Sequence, residues 1–190
     1  LLSTITLVID KPESGIRSLK GIECLTSMET VNVAYNNISD LTPLTYMPNL
    51  KELGLEGCNL SDLSLLKKIN SLTRLEVTNN PIEDFEFLNH MPEMILLRIM
   101  KVKLESLEFV KHMPDLNYLD ASMNRISDIS PLAVFNREIA LYLNNNLIED
   151  LTPLTGIISA SPYNVLSLSN NRISDISSLD GAHFLELDLS

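Results

Sequence analysis

The chain has no tryptophan, only two cysteines and only six glycines among its 190 residues. Cys24 and Cys58 are too few for a disulfide framework, and this low count suits both the cytosol and the surface of bacteria that use few disulfides. Apolar runs are short, so no segment reaches the roughly 18 residues that a membrane-spanning helix needs. The first residues also lack the basic and apolar regions of a signal peptide. Composition therefore leaves the compartment open.

Motifs that carry chemistry are missing as well. The sequence has no glycine-rich phosphate loop, no G-x-S-x-G, no H-E-x-x-H and no C-x-x-C pair. We therefore predict no enzymatic activity and no cofactor.

Positive charge is in short supply. Lys and Arg number 14 against 25 Asp and Glu, which gives a net charge of −11. Nucleic-acid binding needs clustered Lys and Arg to neutralise phosphates, so we expect no nucleic-acid partner. The acidity mainly keeps the chain soluble.

What the sequence does have is a repeat of 22 residues. Successive units start at Met28, Leu50, Leu72, Met94, Leu116 and Glu138. Leu, Ile or Val recurs at positions four, six and eleven, and apolar residues recur at fourteen and seventeen. Position nine is Asn in Asn36, Asn80, Asn124, Asn146 and Asn171. Position thirteen is Asp in Asp40, Asp62, Asp84, Asp128, Asp150 and Asp175. A fixed period of this length predicts a solenoid.

The unit, written L-x-x-L-x-L-x-x-N-x-I-x-D-L-x-P-L, resembles the leucine-rich repeat of the 22-residue class, which is found in bacterial internalins and in eukaryotic regulators of protein phosphatase. The form N-x-I-S-D-I-S-P-L at Asn124 to Leu132, nearly repeated at Asn36 to Leu44 and Asn171 to Leu179, is most similar to internalin-type surface proteins. The resemblance covers roughly the whole chain. The helical cap and the immunoglobulin-like region that often flank such arrays are not identified.

The spacing predicts the path of each coil, and the fold class is an α/β leucine-rich-repeat solenoid of about eight coils. Positions three to seven alternate as in a strand, so stacked units give a parallel sheet on the concave face. A buried Asn at position nine can bond backbone groups of the turn. Thr42, Ser130 and Thr152 are predicted N-caps before Pro43, Pro131 and Pro153, which predicts one or two helical or 3₁₀ turns on the convex face.

Most residues that look reactive are explained by their repeat position. The Asp column suits helix N-termini. Cys58 replaces an Asn as a buried thiol, whereas Val102 replaces one without any hydrogen-bonding group, which predicts a local rearrangement or a water. His90 and His112 share position nineteen, but Lys68 and Val134 occupy it in the flanking coils, so we predict no metal site.

Deviations from the period divide the chain. We predict one leucine-rich-repeat domain over residues 1–190, with an irregular first coil at 1–27, regular coils at 28–162, a longer coil at 138–162 and the last coils at 163–190. The insertion around Lys11 to Gly15 and the extra residues from Gly156 to Pro162 are expected to form surface loops. Leu2, Ile5 and Leu7 at one end, and Phe184, Leu187 and Leu189 at the other, form apolar strands without polar caps. We expect a fragment of a longer protein.

The outward strand positions three, five and seven are free to carry function. In the middle coils they hold residue types that are enriched in protein interfaces. The predicted partner-binding residues are Arg74, Leu96, Arg98, Met100, Tyr118 and Tyr142. The coil from Met94 is also the most degenerate, so a misassigned strand face is the competing interpretation.

The resemblance implies a non-catalytic module that binds a protein ligand on its concave face, secreted or attached to a bacterial surface, with a role in adhesion or virulence. Some internalin-like proteins also take part in haem or haemoglobin capture, but these residues include no haem ligand set. Two alternatives remain: a cytoplasmic scaffold similar to the phosphatase regulators, and the recognition domain of a multidomain enzyme such as a ubiquitin-ligase effector.

Overall fold

The computed structural model describes residues 6–11, 15–160 and 164–190. Nine parallel strands within these residues form one sheet, in which spatial order equals chain order. They are β1 (Thr6–Val8), β2 (Thr30–Asn32), β3 (Glu52–Gly54), β4 (Arg74–Glu76), β5 (Leu96–Arg98), β6 (Tyr118–Asp120), β7 (Ala140–Tyr142), β8 (Val165–Ser167) and β9 (Glu186–Asp188). From β2 to β7 each residue pairs with the one 22 positions later, as in Leu53 with Leu75. The predicted solenoid is confirmed.

Short 3₁₀ helices return the chain between strands. They span Ile22–Cys24, Thr42–Tyr46, Ser64–Lys68, Glu86–His90, Glu108–His112, Ser130–Val134, Thr152–Leu154 and Ser177–Leu179. Only a few residues separate each turn from the next strand, so a tight helix of about one turn is all that fits. No helix in the described ranges is long and apolar enough to cross a membrane.

The core is one continuous column of apolar side chains between the sheet and the 3₁₀ helices. Leu53, Leu75, Leu97, Leu119 and Leu141, at position four, are buried one above another. Each coil buries its leucines against the coils on either side. Equivalent positions of successive repeats must therefore lie next to one another along the solenoid.

The predicted N-caps are wrong. Thr42, Ser130 and Thr152 are the first residues of their 3₁₀ helices and make no side-chain cap bond. The cap is the preceding aspartate: Oδ1 of Asp40 accepts the N–H of Thr42, and Oδ1 of Asp128 accepts that of Ser130, both at 2.8 Å. An acid two residues before the free N–H reaches it more directly than a Ser or Thr inside the turn.

The position-nine asparagines form a ladder of buried bonds. Asn124 Nδ2 donates to the carbonyl oxygens of Ile99 and Ala121 at 2.8 and 2.9 Å, and its Oδ1 accepts the N–H of Leu104 at 3.0 Å. Where Cys58 stands instead, its Sγ donates to the carbonyl oxygen of Val33 at 3.2 Å, and burial raises the pKa of the thiol. Each asparagine therefore joins its own coil to the one before it.

The longer coil departs from the predicted surface loop. Six of its residues form the helix α1 (Thr155–Ala160), and Ile157 of that helix is buried. Asn164 Nδ2 donates to the carbonyl oxygen of Ile157 at 2.8 Å, which attaches α1 to the start of β8. The extra length thus extends the core on the convex side, although Pro162 lies outside the described residues. So do Leu2 and Ile5 at the start, and Pro12, Glu13 and Ser14 of the predicted insertion.

Candidate partner-binding surface

The six residues predicted to bind a partner lie together on the open face of the sheet. They are Arg74 on β4, Leu96 and Arg98 on β5, Met100 just after β5, Tyr118 on β6 and Tyr142 on β7. Between them along the chain, Leu97 and Ile99 are completely buried. Successive side chains of a strand point to opposite faces of the sheet, so Leu96, Arg98 and Met100 point to the open face. This rules out the competing interpretation that the strand face was misassigned in the degenerate coil.

Register places five of these side chains in two adjoining rows, and Met100 follows the end of β5. Arg74, Leu96 and Tyr118 are partners across β4, β5 and β6. Two residues further along the strands, Arg98 is the partner of Glu76 on one side and of Asp120 on the other. Directly opposed residues on neighbouring strands are close enough for their side chains to touch.

A stack of one cation and two aromatic rings forms the centre of the surface. The guanidinium carbon of Arg98 lies 5.5 Å from the ring centroid of Tyr118. The rings of Tyr118 and Tyr142 have centroids 5.3 Å apart and are tilted by 37°. Both distances fall in the range of favourable cation–π and aromatic contacts. We call Arg98, Tyr118 and Tyr142 the aromatic stack.

Carboxylates border this stack. Glu76 is 3.8 Å from Arg98, and Glu52 is 3.5 Å from Arg74. Burial raises the pKa of Glu76, the nearby Arg98 lowers it, and the charges of Glu56 and Asp120 raise it further. The surface is therefore mixed, with apolar rings beside acids that already interact with the two arginines.

Two hollows flank Arg98. One, of about 230 Å³, lies over Gly54 between the Glu52–Arg74 and Glu76–Arg98 pairs. A Cβ at Gly54 would lie 2.7 Å from Oδ1 of Asn32, so glycine at this position leaves room for the Asn32 side chain. The other, of about 350 Å³, is bordered by Arg98, Tyr118, Met100 and Met123.

Sequence reasoning missed Met123, which is 44% exposed beside the second hollow. It occupies position eight, just past the three outward positions that we considered. Tyr35, Asn79, Lys101, Asn145 and Asn170 share that position, and all have left-handed backbones with φ between 54° and 59°. The left-handed turn directs position eight to the rim of the sheet, and the repeat pattern alone does not reveal this.

The histidine column lies away from this surface. His90 is at the end of the 3₁₀ helix Glu86–His90, and its Nε2 lies 2.7 Å from Oε1 of Glu86. In the described part of the chain, no three His, Cys, Asp or Glu side chains are grouped to hold a metal ion.

Comparison with known proteins identifies the fold. The family model for leucine-rich repeats (two copies) matches residues 48–90. The structure of internalin C2 from Listeria monocytogenes has a TM-score of 0.86 and 26% identity over 97% of this chain and 80% of that one. An internalin (inlF) from the same organism has a TM-score of 0.80 and 28% identity over 92% of this chain, which spans 51% of that structure.

A leucine-rich-repeat protein from Leptospira interrogans shares the fold, with a TM-score of 0.73 at 19% identity over 96% of this chain and 53% of that one. Curated protein sequences gave no match. The chain is a leucine-rich-repeat protein. It is similar to the internalins, and its fold is that of a protein-binding repeat module.

Proposed function

We propose that this chain is a non-catalytic module of a secreted or surface-attached bacterial protein, and that it binds a host protein with its concave face. The observation that carries the proposal is the aromatic stack of Arg98, Tyr118 and Tyr142. Arg and Tyr are the residue types that most often dominate binding energy, and here they are held against one another on an open face.

Similarity to the internalins supports the surface location and the adhesive role. The internalin C2 structure matches nearly the full length of this chain, while the longer inlF structure has about as much again beyond the matched part. Because recognition on an open sheet depends on side chains and not on the fold, the identity of the partner has to come from experiment.

The test compares tyrosines on opposite faces. Binding of the fluorescently labelled domain to intact cultured animal cells is measured for the parent, for Tyr118→Ala/Tyr142→Ala, and for Tyr46→Ala as a matched control. Tyr46 is an exposed tyrosine at the end of the convex 3₁₀ helix Thr42–Tyr46. Truncating a hot-spot residue costs about 2 kcal/mol or more, roughly 30-fold in Kd.

We expect saturable binding of the parent and of Tyr46→Ala, and strongly weakened binding of the concave variant. Equal binding of all three proteins would contradict the concave site. Absence of parental binding to any cell surface, together with recovery of a phosphatase from a cytosolic extract, would favour the scaffold alternative.

A further inference from the structure

Two coils in the described ranges lack an asparagine at position nine, and their backbone is different. Position ten is left-handed there, with φ of 59° at Asn59 and 63° at Lys103. Cys58 and Val102 are the position-nine residues of these coils. No other position-ten residue in the described ranges has a positive φ. Loss of the asparagine and the change at position ten thus occur together.

The changed backbone frees hydrogen-bond donors. In three coils that have the position-nine asparagine, the position-ten N–H donates to the preceding coil, as from Arg125 to the carbonyl oxygen of Leu104 at 2.8 Å and from Leu147 to that of Ile126 at 2.8 Å. Within the described residues, the N–H groups of Asn59 and Lys103 make no such bond. An N–H group without an acceptor is free to bind a ligand or water.

Both altered residues border one hollow at the edge of the solenoid. It has a volume of about 430 Å³ and is lined by Lys101, Lys103, Asn59, Asn79 and Asn80, together with Gly57 and Pro81. The intervening coil contributes Pro81 at position ten, which has no N–H. The hollow therefore lies between the two altered coils and is rich in donors.

Charge distinguishes this hollow from the rest of the protein. None of the residues lining it is acidic, although the chain has a net charge of −11. Lys101 and Lys103 are exposed, and neither forms an ion pair in the part of the chain that the structure describes. Six of the other twelve bases do: Lys51, Arg74, Arg98, Lys111, Arg125 and Arg172 each contact a glutamate.

Backbone preference does not account for the two lysines. Both are left-handed, with φ of 54° and 63°, a conformation that Asn and Gly adopt more readily than Lys. The corresponding position-eight residues in the other described coils are Gly57, Asn79, Asn145 and Asn170, with Tyr35 and Met123 in two more. Lysine is thus found where asparagine would fit the backbone better, and its side chain has no partner within the described residues.

We propose that this hollow binds an oxyanion, a sulfate or phosphate ester carried by a larger ligand. The ammonium groups of Lys101 and Lys103 supply the charge, and the Asn79 amide and the unbonded N–H groups of Asn59 and Lys103 supply further donors. This site is separate from the aromatic stack and goes beyond the proposed function, because it selects a ligand by its negative charge.

The test is a titration of the isotope-labelled chain with sodium sulfate, and separately with sodium phosphate, at constant ionic strength. Backbone amide shifts of Asn59, Asn79 and Lys103 report on the hollow. We expect saturable shifts in the parent and their loss in Lys101→Asn/Lys103→Asn, since asparagine suits both left-handed positions. The control is Lys67→Asn/Lys68→Asn, which removes the same charge from the convex face and retains the shifts.

A second variant tests the geometry without changing the lysines. Val102→Asn places asparagine at position nine, as in the coils whose position ten is not left-handed. We expect this variant to abolish the saturable shifts at Lys103. Shifts that do not saturate in the parent, or that persist in Lys101→Asn/Lys103→Asn, would overturn the proposal. Saturable shifts that persist in Val102→Asn would overturn the role of the altered backbone.

The two sources of the oxyanion are separated by repeating the titration with a sulfated disaccharide and with glycerol phosphate. Tighter binding of the first identifies a sulfated polysaccharide as the ligand class, and tighter binding of the second identifies a phosphate ester. If neither organic ester saturates the site that the inorganic ions occupy, the site does not serve a larger ligand and that part of the proposal is wrong.

Discussion

The guanidinium of Arg98 lies over the ring of Tyr118, with its central carbon 5.5 Å from the ring centroid, while Glu76 contacts the same guanidinium at 3.8 Å. Two contacts from neighbouring strands thus hold one long side chain on an open surface. A side chain that is already ordered loses less conformational entropy when a partner binds. The stack is therefore better suited to recognition than an isolated arginine of equal exposure.

The facing of β6 leads to the first prediction. Leu119→Ala should lower the free energy of unfolding by about 2–5 kcal/mol, because it empties a fully buried position in the leucine column. Tyr118→Ala, one residue earlier, should cost clearly less, because its ring lies on the open face. Urea unfolding followed by circular dichroism measures both. Similar losses for the two variants would mean that the face assignment is wrong.

The asparagine ladder gives the second prediction. Asn124→Ala removes the acceptor of the Val102 and Leu104 N–H groups and the donor to Ile99 and Ala121, all of which are buried. Leaving a buried polar group unpaired costs about 1–3 kcal/mol, so the total should exceed ~2 kcal/mol.

A matched control for this variant exists in the last complete turn. Asn171→Ala removes analogous bonds to Leu143, Leu168 and Ile148, but these are only partly buried, so water can replace them. Chemical denaturation should therefore show a smaller loss for Asn171→Ala than for Asn124→Ala. An equal loss would argue against burial as the cause.

The aspartate caps make stability depend on pH in acid. Bonds from Ser130 hold the pKa of Asp128 below its ordinary value, as bonds from Thr42 and Thr152 do for Asp40 and Asp150. A carboxyl whose pKa is lower in the folded state stabilises the fold above its unfolded pKa, and this contribution is lost as pH falls through the folded pKa. Stability should therefore decline as the pH drops below about 4.

Substitutions at Asp128 separate the cap from the charge. Asp128→Ala should destabilise the domain at neutral pH, because the N–H of Ser130 loses its acceptor. Asp128→Asn keeps an oxygen acceptor, so it should retain most of the stability while weakening the acid dependence. Thermal unfolding from acid to neutral pH measures both effects. An Asp128→Ala protein as stable as the parent would show that the cap contributes nothing.

The sequence predicted the solenoid and the facing of its strands because both follow from one period. Leu97 and Leu119 must point inward if Leu53 and Leu75 do, and the register bears this out. The same regularity accounts for the presence of Arg98 and Tyr142 on one surface. Whether that surface binds a partner stays a prediction, because an exposed side chain contributes to binding and not to the fold.

What the sequence did not reveal depends on how neighbouring coils interact. The left-handed backbone at Lys103 is the form taken by the local rearrangement that was predicted at Val102, and the sequence alone did not specify that form. Helix α1 formed where a loop was expected, because Ile157 could be buried against adjacent coils. The assignment of the caps to Thr and Ser failed for a local reason, since Asp two residues earlier reaches the same N–H.

The rim tyrosine gives the last prediction. Tyr35 is 43% exposed, yet its pKa is raised to about 12, first by a side-chain hydrogen bond to Glu56 and then by burial and the charges of Glu56, Glu76 and Asp10. Ultraviolet difference absorbance should therefore show a tyrosine that ionises well above the ordinary range of about 10, in addition to Tyr142, whose pKa is raised by burial. Glu56→Gln should lower the pKa of Tyr35, because it removes the negative charge beside the phenol.

A group whose pKa is raised on folding stabilises the fold below its unfolded pKa and loses this contribution as pH rises through the folded value, so the domain should become less stable above pH ~10. Titration of all the tyrosines together near their ordinary pKa would contradict the Tyr35–Glu56 contact.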